Sequence, residues 1–150
     1  MELKRYIDEK IKIEKGKNLF ETLTISILNL EEALVEKREN SSLVKAVFIN
    51  TLYDCFSLIK DLKIEINNSE LQEVDLDYWK NNIHVFKSRI NDPNIEVYLY
   101  SIRNSLKYLL QKKKDKQYSK AYLFEIIIKL FLSIDFYGFS INKLLEESVN

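Results

Sequence analysis

The chain has 150 residues, 46% hydrophobic and 31% charged, with Lys+Arg 23 balanced by Asp+Glu 23. That is the size of one domain with one core, and it shows no overall basic excess of the kind that nucleic-acid binding usually requires. Gly 2 and Pro 1 argue against folds that need many turn glycines, a single cysteine excludes an intrachain disulfide, and no run reaches the roughly 18 uninterrupted apolar residues of a membrane span.

The expected fold class is therefore all-α, a single-domain bundle of about six helices over 1–150. Leu3, Ile7 and Ile11 form one row, which predicts a first helix from Leu3 to about Glu14, stopped by Gly16. Asn18 is placed as the N-cap of a second helix. Phe20, Leu23, Ile27, Leu30 and Leu34 follow in steps of three and four, so they share one helical face. The polar turn Lys37-Arg38-Glu39-Asn40-Ser41 then leads, through a cap at Ser41 or Ser42, into a third helix ending near Leu62. That helix is apolar on more than one face, through Val44, Val47, Phe48, Ile49, Leu52, Phe56 and Ile59, and so reads as the central helix.

Lys63-Ile64-Glu65-Ile66 alternates like a strand but has no pairing partner, so it reads as helix end and loop, followed by turn chemistry at Asn67-Asn68-Ser69. A fourth helix is expected over about Asp75–Ile90, with Leu76, Trp79, Ile83, Phe86 and Ile90 on its face and a stop at Pro93. A fifth runs from Ile95 to Gln111. After the basic loop Lys112-Lys113-Lys114-Asp115-Lys116, a sixth, expected from Ser119 to Phe136, is again apolar over much of its girth. Tyr137-Gly138-Phe139 breaks the chain, and Ser140 caps a short last helix.

Two polar stripes interrupt the apolar pair. Asn29, Glu32 and Glu36 align on the second helix by steps of three and four. Asn50, Asp54, Ser57 and Asp61 align on the third, where a carboxylate within a buried helix needs a partner or a metal. Stacked carboxylates and carbonyl oxygens suit Mg²⁺. The plain alternative for both stripes is a solvated helix edge. His84 stands alone, Cys55 reads as inert core, and the glycines are too few for a phosphate loop. Arg103-Asn104-Ser105-Leu106-Lys107-Tyr108 is similar to the Arg-x₄-His signature of HEPN-type ribonucleases, but Tyr108 replaces the histidine. The lysines at 112–114, 116 and 120 could touch phosphates or form a solvated loop.

Asn29-Leu30-Glu31-Glu32-Ala33-Leu34-Val35-Glu36 followed by Thr51-Leu52-Tyr53-Asp54 resembles the acidic motif of the all-α nucleoside triphosphate pyrophosphohydrolases, the group of dimeric dUTPases and MazG-like enzymes. Glu32, Glu36 and Asp54 match that motif, whereas Asn29 and Thr51 stand where acids are expected. The Leu3–Ile7 row and the 136–150 end resemble the family's leading and final helices. The family's closing substrate-binding segment is not recognisable. The resemblance implies a Mg²⁺-dependent enzyme in which metal ions bind the phosphates and activate water. Glu32, Glu36 and Asp54 would be metal ligands, with Asn29 and Asn50 as accessory oxygens and a nucleotide as substrate. Antiparallel pairing of the two helices would set Asn29 beside Asn50, and Asp54 about 10 Å along the axis from Glu32 at a rise of ~1.5 Å per residue. The alternative function is a non-catalytic helical protein acting through protein–protein contacts. The apolar girth of the third and sixth helices leads to the expectation of a homo-oligomer or protein partner. A nucleic-acid-associated protein using the lysine loop stands third among the readings, disfavoured by the balanced charge, and cytoplasmic location and no membrane complete the expectations.

Overall fold

The computed structural model describes residues 3–67, 74–88 and 94–147, and nothing is said of the side chains of 80 and 86–88. Among the described residues there are seven helices and no strand: α1 Leu3–Lys10, α2 Leu19–Glu36, α3 Ser41–Asp61, α4 Leu76–Ser88, α5 Ile95–Gln111, α6 Lys116–Phe136 and α7 Ile141–Glu147. The expected turn at Asn68-Ser69, the proline stop at Pro93 and the side chains of Phe86 and Ile90 fall outside what is described.

Caps set most boundaries. Asn18 Oδ1 accepts from Glu21 N at 3.2 Å, as expected for α2. For α3 the cap is Asn40, whose side chain accepts from Leu43 N at 3.1 Å, rather than Ser41 or Ser42. α6 begins three residues earlier than the sequence suggests, because Asp115 Oδ1 accepts from Gln117 N and Tyr118 N. One carboxylate satisfying two otherwise orphaned N–H groups is a stronger start than a serine further in. α1 stops at Lys10, short of Glu14, and tertiary contacts account for this. Tyr53 Oη donates to Lys12 O at 3.0 Å and accepts from Lys12 N at 3.2 Å. Lys60 Nζ donates to Asp8 O and Ile11 O, satisfying carbonyls that the helix would otherwise have used.

Two helices end in the same way. Gly138 N donates to Asp135 O and Phe139 N to Ile134 O, a closing turn that needs the left-handed backbone Gly138 adopts at φ 78. At the end of α3, Lys63 N donates to Lys60 O and Ile64 N to Ile59 O, so Lys63 occupies the equivalent position at φ 53 without being glycine. The alternation beyond it is real in burial, with Ile64 and Ile66 inside and Lys63 and Glu65 outside, and no strand pairs with the segment among the described residues.

α2 and α3 form one antiparallel hairpin, and α5 and α6 form another. They join through α3 against α6 and α2 against α5, while α1, α4 and α7 close the remaining sides. Val44, Phe48, Leu52, Cys55, Phe56, Leu58 and Ile59 of α3 are buried, with Phe48 meeting Tyr137 and Phe139 edge-on and Phe56 meeting Tyr6. Among the described residues α3 alone has the length and hydropathy of a membrane span. α1, α2, α6 and α7 all pack against it. The girth of α6 is covered too, with Trp79 of α4 against Phe131 at 5.2 Å. Much of the apolar girth on which the oligomer expectation rested is therefore covered within one chain, while Phe136 of α6 stays 47% exposed. At the chain ends, Tyr6 Oη donates to Leu145 O at 3.1 Å and ties α1 to α7.

A non-glycine residue in the left-handed region carries a steric cost that glycine does not. Lys63→Gly is expected to raise stability by about 0.5–1 kcal/mol, the steric relief less the added freedom of the unfolded chain. Denaturant titration followed by the fluorescence of Trp79, the sole tryptophan, measures this. A loss of stability would refute the strain at that turn.

Candidate polar cleft between α2 and α3

The register of the α2/α3 hairpin decides which polar residues meet. Ser26 Oγ donates a hydrogen bond to Asp54 Oδ2. Thr51 Oγ1 donates to Val47 O at 2.7 Å and reaches Ser26 O at 3.4 Å. Thr51 is fully buried, so an acid in its place would lie inside the helix interface. With Ser26 opposite Asp54 in an antiparallel pair, Asn29 comes level with Asn50, as the sequence suggests. Glu32 lies six residues beyond Ser26, about 9 Å along the axis at ~1.5 Å per residue.

The five sequence-derived ligand candidates therefore divide. Asp54 is half-buried and Asn50 exposed, both at one cleft. Asn29 is exposed on α2. Glu32 is exposed and pairs with Lys37 Nζ at 3.4 Å, and Glu36 is exposed at the last turn of α2. The α2 residues on the Asp54 side are Thr22 and Ser26, hydroxyls rather than carboxylates. Among the described residues no three His, Cys, Asp or Glu side chains are grouped to hold a metal ion. The neighbouring Glu31 points to the other side of α2. Its carboxylate takes both arms of Arg103 from α5, with Nε to Oε1 at 3.0 Å.

What the register builds is a cleft of about 280 Å³, walled by Lys12, Glu14 and Lys17 of the α1–α2 connection, Thr22 and Ser26 of α2, and Asn50, Tyr53 and Asp54 of α3. Desolvation raises the Asp54 carboxyl above its ordinary value of 3.8, and the Ser26 hydrogen bond and the charge of Lys17 pull the other way. Burial, and then the adjacent Asp54, push the Cys55 thiol well up, which leaves it inert beneath the cleft. With Asp54 giving one oxygen to Ser26 and Glu14 paired with Lys17 at 3.7 Å, the cleft is a poor Mg²⁺ site, because Mg²⁺ selects dedicated oxygen ligands. It suits a small polar molecule carrying both a donor and an anionic group. Sequence spacing singled out Asp54 and Asn50 but not Ser26, Lys17 or Tyr53. Ser26 lies one step of three before Asn29, in line with the α2 stripe, but a hydroxyl gives no ligand signal by itself, and Lys17 and Tyr53 act through a connection that periodicity does not describe.

No family model, no curated protein and no solved structure matches this chain.

A raised carboxyl pKa has a definite stability signature. The folded state binds more protons than the unfolded state between 3.8 and the folded-state value. Stability from this group therefore falls as pH rises through that window, and the full penalty persists above it. Asp54→Asn keeps an acceptor for Ser26 and removes the charge. It is expected to be neutral below pH 3.8 and stabilising at pH 7, by no more than about 1 kcal/mol. Urea titrations of both proteins across pH 3–7 test the sign. A variant less stable at pH 7 would mean that the ionised carboxylate is held favourably after all.

Proposed function

We propose that this protein is a non-catalytic helical module that acts through protein–protein contacts, with the outer face of α2 as the contact surface and a second copy of the chain as its first occupant. The observation that carries this reading is an apolar stripe turned away from the core. Ile25, Leu28 and Val35 are 51%, 53% and 67% exposed. Together with Glu32 they follow the 3-4-3 spacing of one helical face. Tyr100 of α5, 73% exposed, stands beside it. The contacts of Glu31 with Arg103 and of Phe20 with Lys113 run α2 antiparallel to α5, which brings Tyr100 level with Val35.

The stripe is self-complementary. Ile25 and Val35 are centred on position 30, and so are Leu28 and Glu32. Two antiparallel copies of α2 crossing there would set Ile25 over Val35 of the partner subunit, and Leu28 over the aliphatic stem of the partner's Glu32. That is the isologous pattern of a two-fold dimer. Lys37 beside Glu32 neutralises the one charge in the stripe. These side chains expose a few hundred Å² of apolar surface, the size of patch that marks an interaction site and roughly half of the ~800 Å² that a standard interface takes from each partner. A weak, concentration-dependent dimer is the expected result.

The pyrophosphohydrolase reading rests on Asp54 and Asn50 sharing a cleft. It is the weaker reading here because Glu32 and Glu36 lie a turn or more beyond that cleft.

Sedimentation equilibrium from tens of micromolar to about one millimolar should show the average mass rising toward a dimer. Leu28→Lys should hold it at the monomer, and Glu32→Ala should strengthen association. A monomer mass throughout would overturn the self-association. Millimolar Mg²⁺ with a nucleoside triphosphate should leave the melting temperature unchanged. A rise that Asp54→Ala and Glu32→Ala both abolish would restore the enzyme reading, because a ligand bound only by the folded state must stabilise it.

A further inference from the structure

The tip of the α5–α6 hairpin carries a second surface, beside the start of α2, where Lys113 lies over Phe20. Its register is regular: Ser105 Oγ donates to Glu125 at 2.8 Å, Tyr108 meets Tyr122, and Lys112 meets Tyr118. Each step along α5 is matched by an equal step back along α6. That matching puts three tyrosines in one ladder. Tyr108 and Tyr122 stack at 5.5 Å and 20°, and Tyr122 and Tyr118 at 6.3 Å and 14°. Centroid separations this long between near-parallel rings mean offset stacking, with Tyr122 between its two neighbours and the open ring surface at the two ends. Tyr108 and Tyr118 are 40% and 47% exposed.

Around the ladder the charge is one-sided. Residues 107–120 hold six lysines, at 107, 112, 113, 114, 116 and 120, and one acid, Asp115, whose carboxylate is occupied by the first N–H groups of α6. Among the described residues no carboxylate pairs with Lys107, Lys112, Lys113, Lys114 or Lys116. Lys112 and Lys113 lie instead over aromatic rings, 5.3 Å from Tyr118 and 5.5 Å from Phe20. Glu21 and Glu125 border the tip, and the latter holds Ser105. Overall neutrality thus conceals a strongly basic hairpin tip set on a body that is acidic by the same amount.

We propose that this tip binds single-stranded nucleic acid, with bases stacking on the Tyr108–Tyr122–Tyr118 ladder and Lys107, Lys112, Lys113, Lys114 and Lys116 contacting phosphates. Cationic side chains tracking a backbone beside ring faces that accept any base are the two parts of sequence-tolerant single-strand binding. A duplex keeps its base faces stacked on one another and cannot use the rings. An acidic peptide satisfies the lysines but leaves the ladder without a role. An anionic bilayer favours aliphatic side chains that insert, whereas these rings lie against one another. Glu32, Glu36 and Asp54 take no part.

The test is fluorescence anisotropy of a labelled 20-nucleotide oligothymidylate, with inorganic polyphosphate as a charge-only competitor and vesicles of phosphatidylglycerol as an alternative anionic surface. Wild-type protein should bind the oligonucleotide in low salt. If all five lysines engage phosphates, the slope of log K against log salt should approach about −3.5, since each single-strand phosphate contact contributes ~−0.7. Lys113→Glu/Lys114→Glu should weaken binding at least tenfold. Tyr108→Ala/Tyr118→Ala should also weaken oligonucleotide binding at least tenfold while leaving polyphosphate affinity within twofold. Tyr108→Phe/Tyr118→Phe, which keeps the rings, should restore it. Circular dichroism and Trp79 emission unchanged in each variant establish that the fold is intact. Absence of oligonucleotide binding at 100 µM protein would overturn the proposal. So would affinity indifferent to the tyrosine-to-alanine pair, or binding to vesicles but not to the oligonucleotide.

Discussion

Burial of α3 on several sides is the constraint from which the rest of the structure follows. A helix carrying Val44, Phe48, Leu52, Phe56 and Ile59 around much of its girth loses a large free energy if any of those faces meets water. One partner helix covers only one stripe. Covering α3 therefore takes α2, α6, α1 and α7 together. This requirement folds the chain into two hairpins laid against each other. It also fixes the α2/α3 register, because the apolar rows of both helices must coincide.

That register has electrostatic consequences. Once the apolar rows are aligned, the carboxylates go where the rows leave room. Glu32 and Glu36 fall on the exposed side of α2, and Glu31 reaches across to Arg103. Asp54 is drawn partly inside, where it is tolerated because Ser26 supplies a proton donor and Lys17 a nearby positive charge. Thr51, fully buried one turn earlier, returns its hydroxyl to Val47 and Ser26 carbonyls, so no polar atom there is wasted. The α2–α3 interface is thus polar but largely self-satisfied. Its open part is a small cleft rather than a metal cage.

The two hairpins leave different outer surfaces. α2 presents an apolar stripe that none of the described elements covers, symmetric about position 30. The α5–α6 tip presents the opposite chemistry, lysines and ring faces with a single acid already engaged as a helix cap. The two surfaces use different residues of different helices. α5 lies between them, with Tyr100 beside the stripe and Tyr108 in the ladder.

Helical periodicity, scarce glycine and the polar turns were enough to read the all-α class, the order of the helices and the identity of α3 as the buried centre. Those features are local: hydrophobic spacing and capping side chains act within a few residues, and a single chain displays them directly. The ends of α1 and α6 were not legible, because Tyr53 and Lys60 end the first from outside and Asp115 starts the second by a bond that a serine further along appeared equally able to make. The site was less legible still. Stripe arithmetic placed Asn29, Glu32 and Glu36 together on α2, and Asn50 with Asp54 on α3. Which members of one stripe meet which members of the other depends on the register between helices. The tyrosine ladder was hidden for the same reason: Tyr108 lies ten residues from Tyr118, and only antiparallel pairing of α5 with α6 makes them neighbours. The sequence by itself determined which faces had to be buried. The tertiary structure decided which polar and aromatic side chains were brought together, because that depends on the axial offset at which two apolar rows interlock.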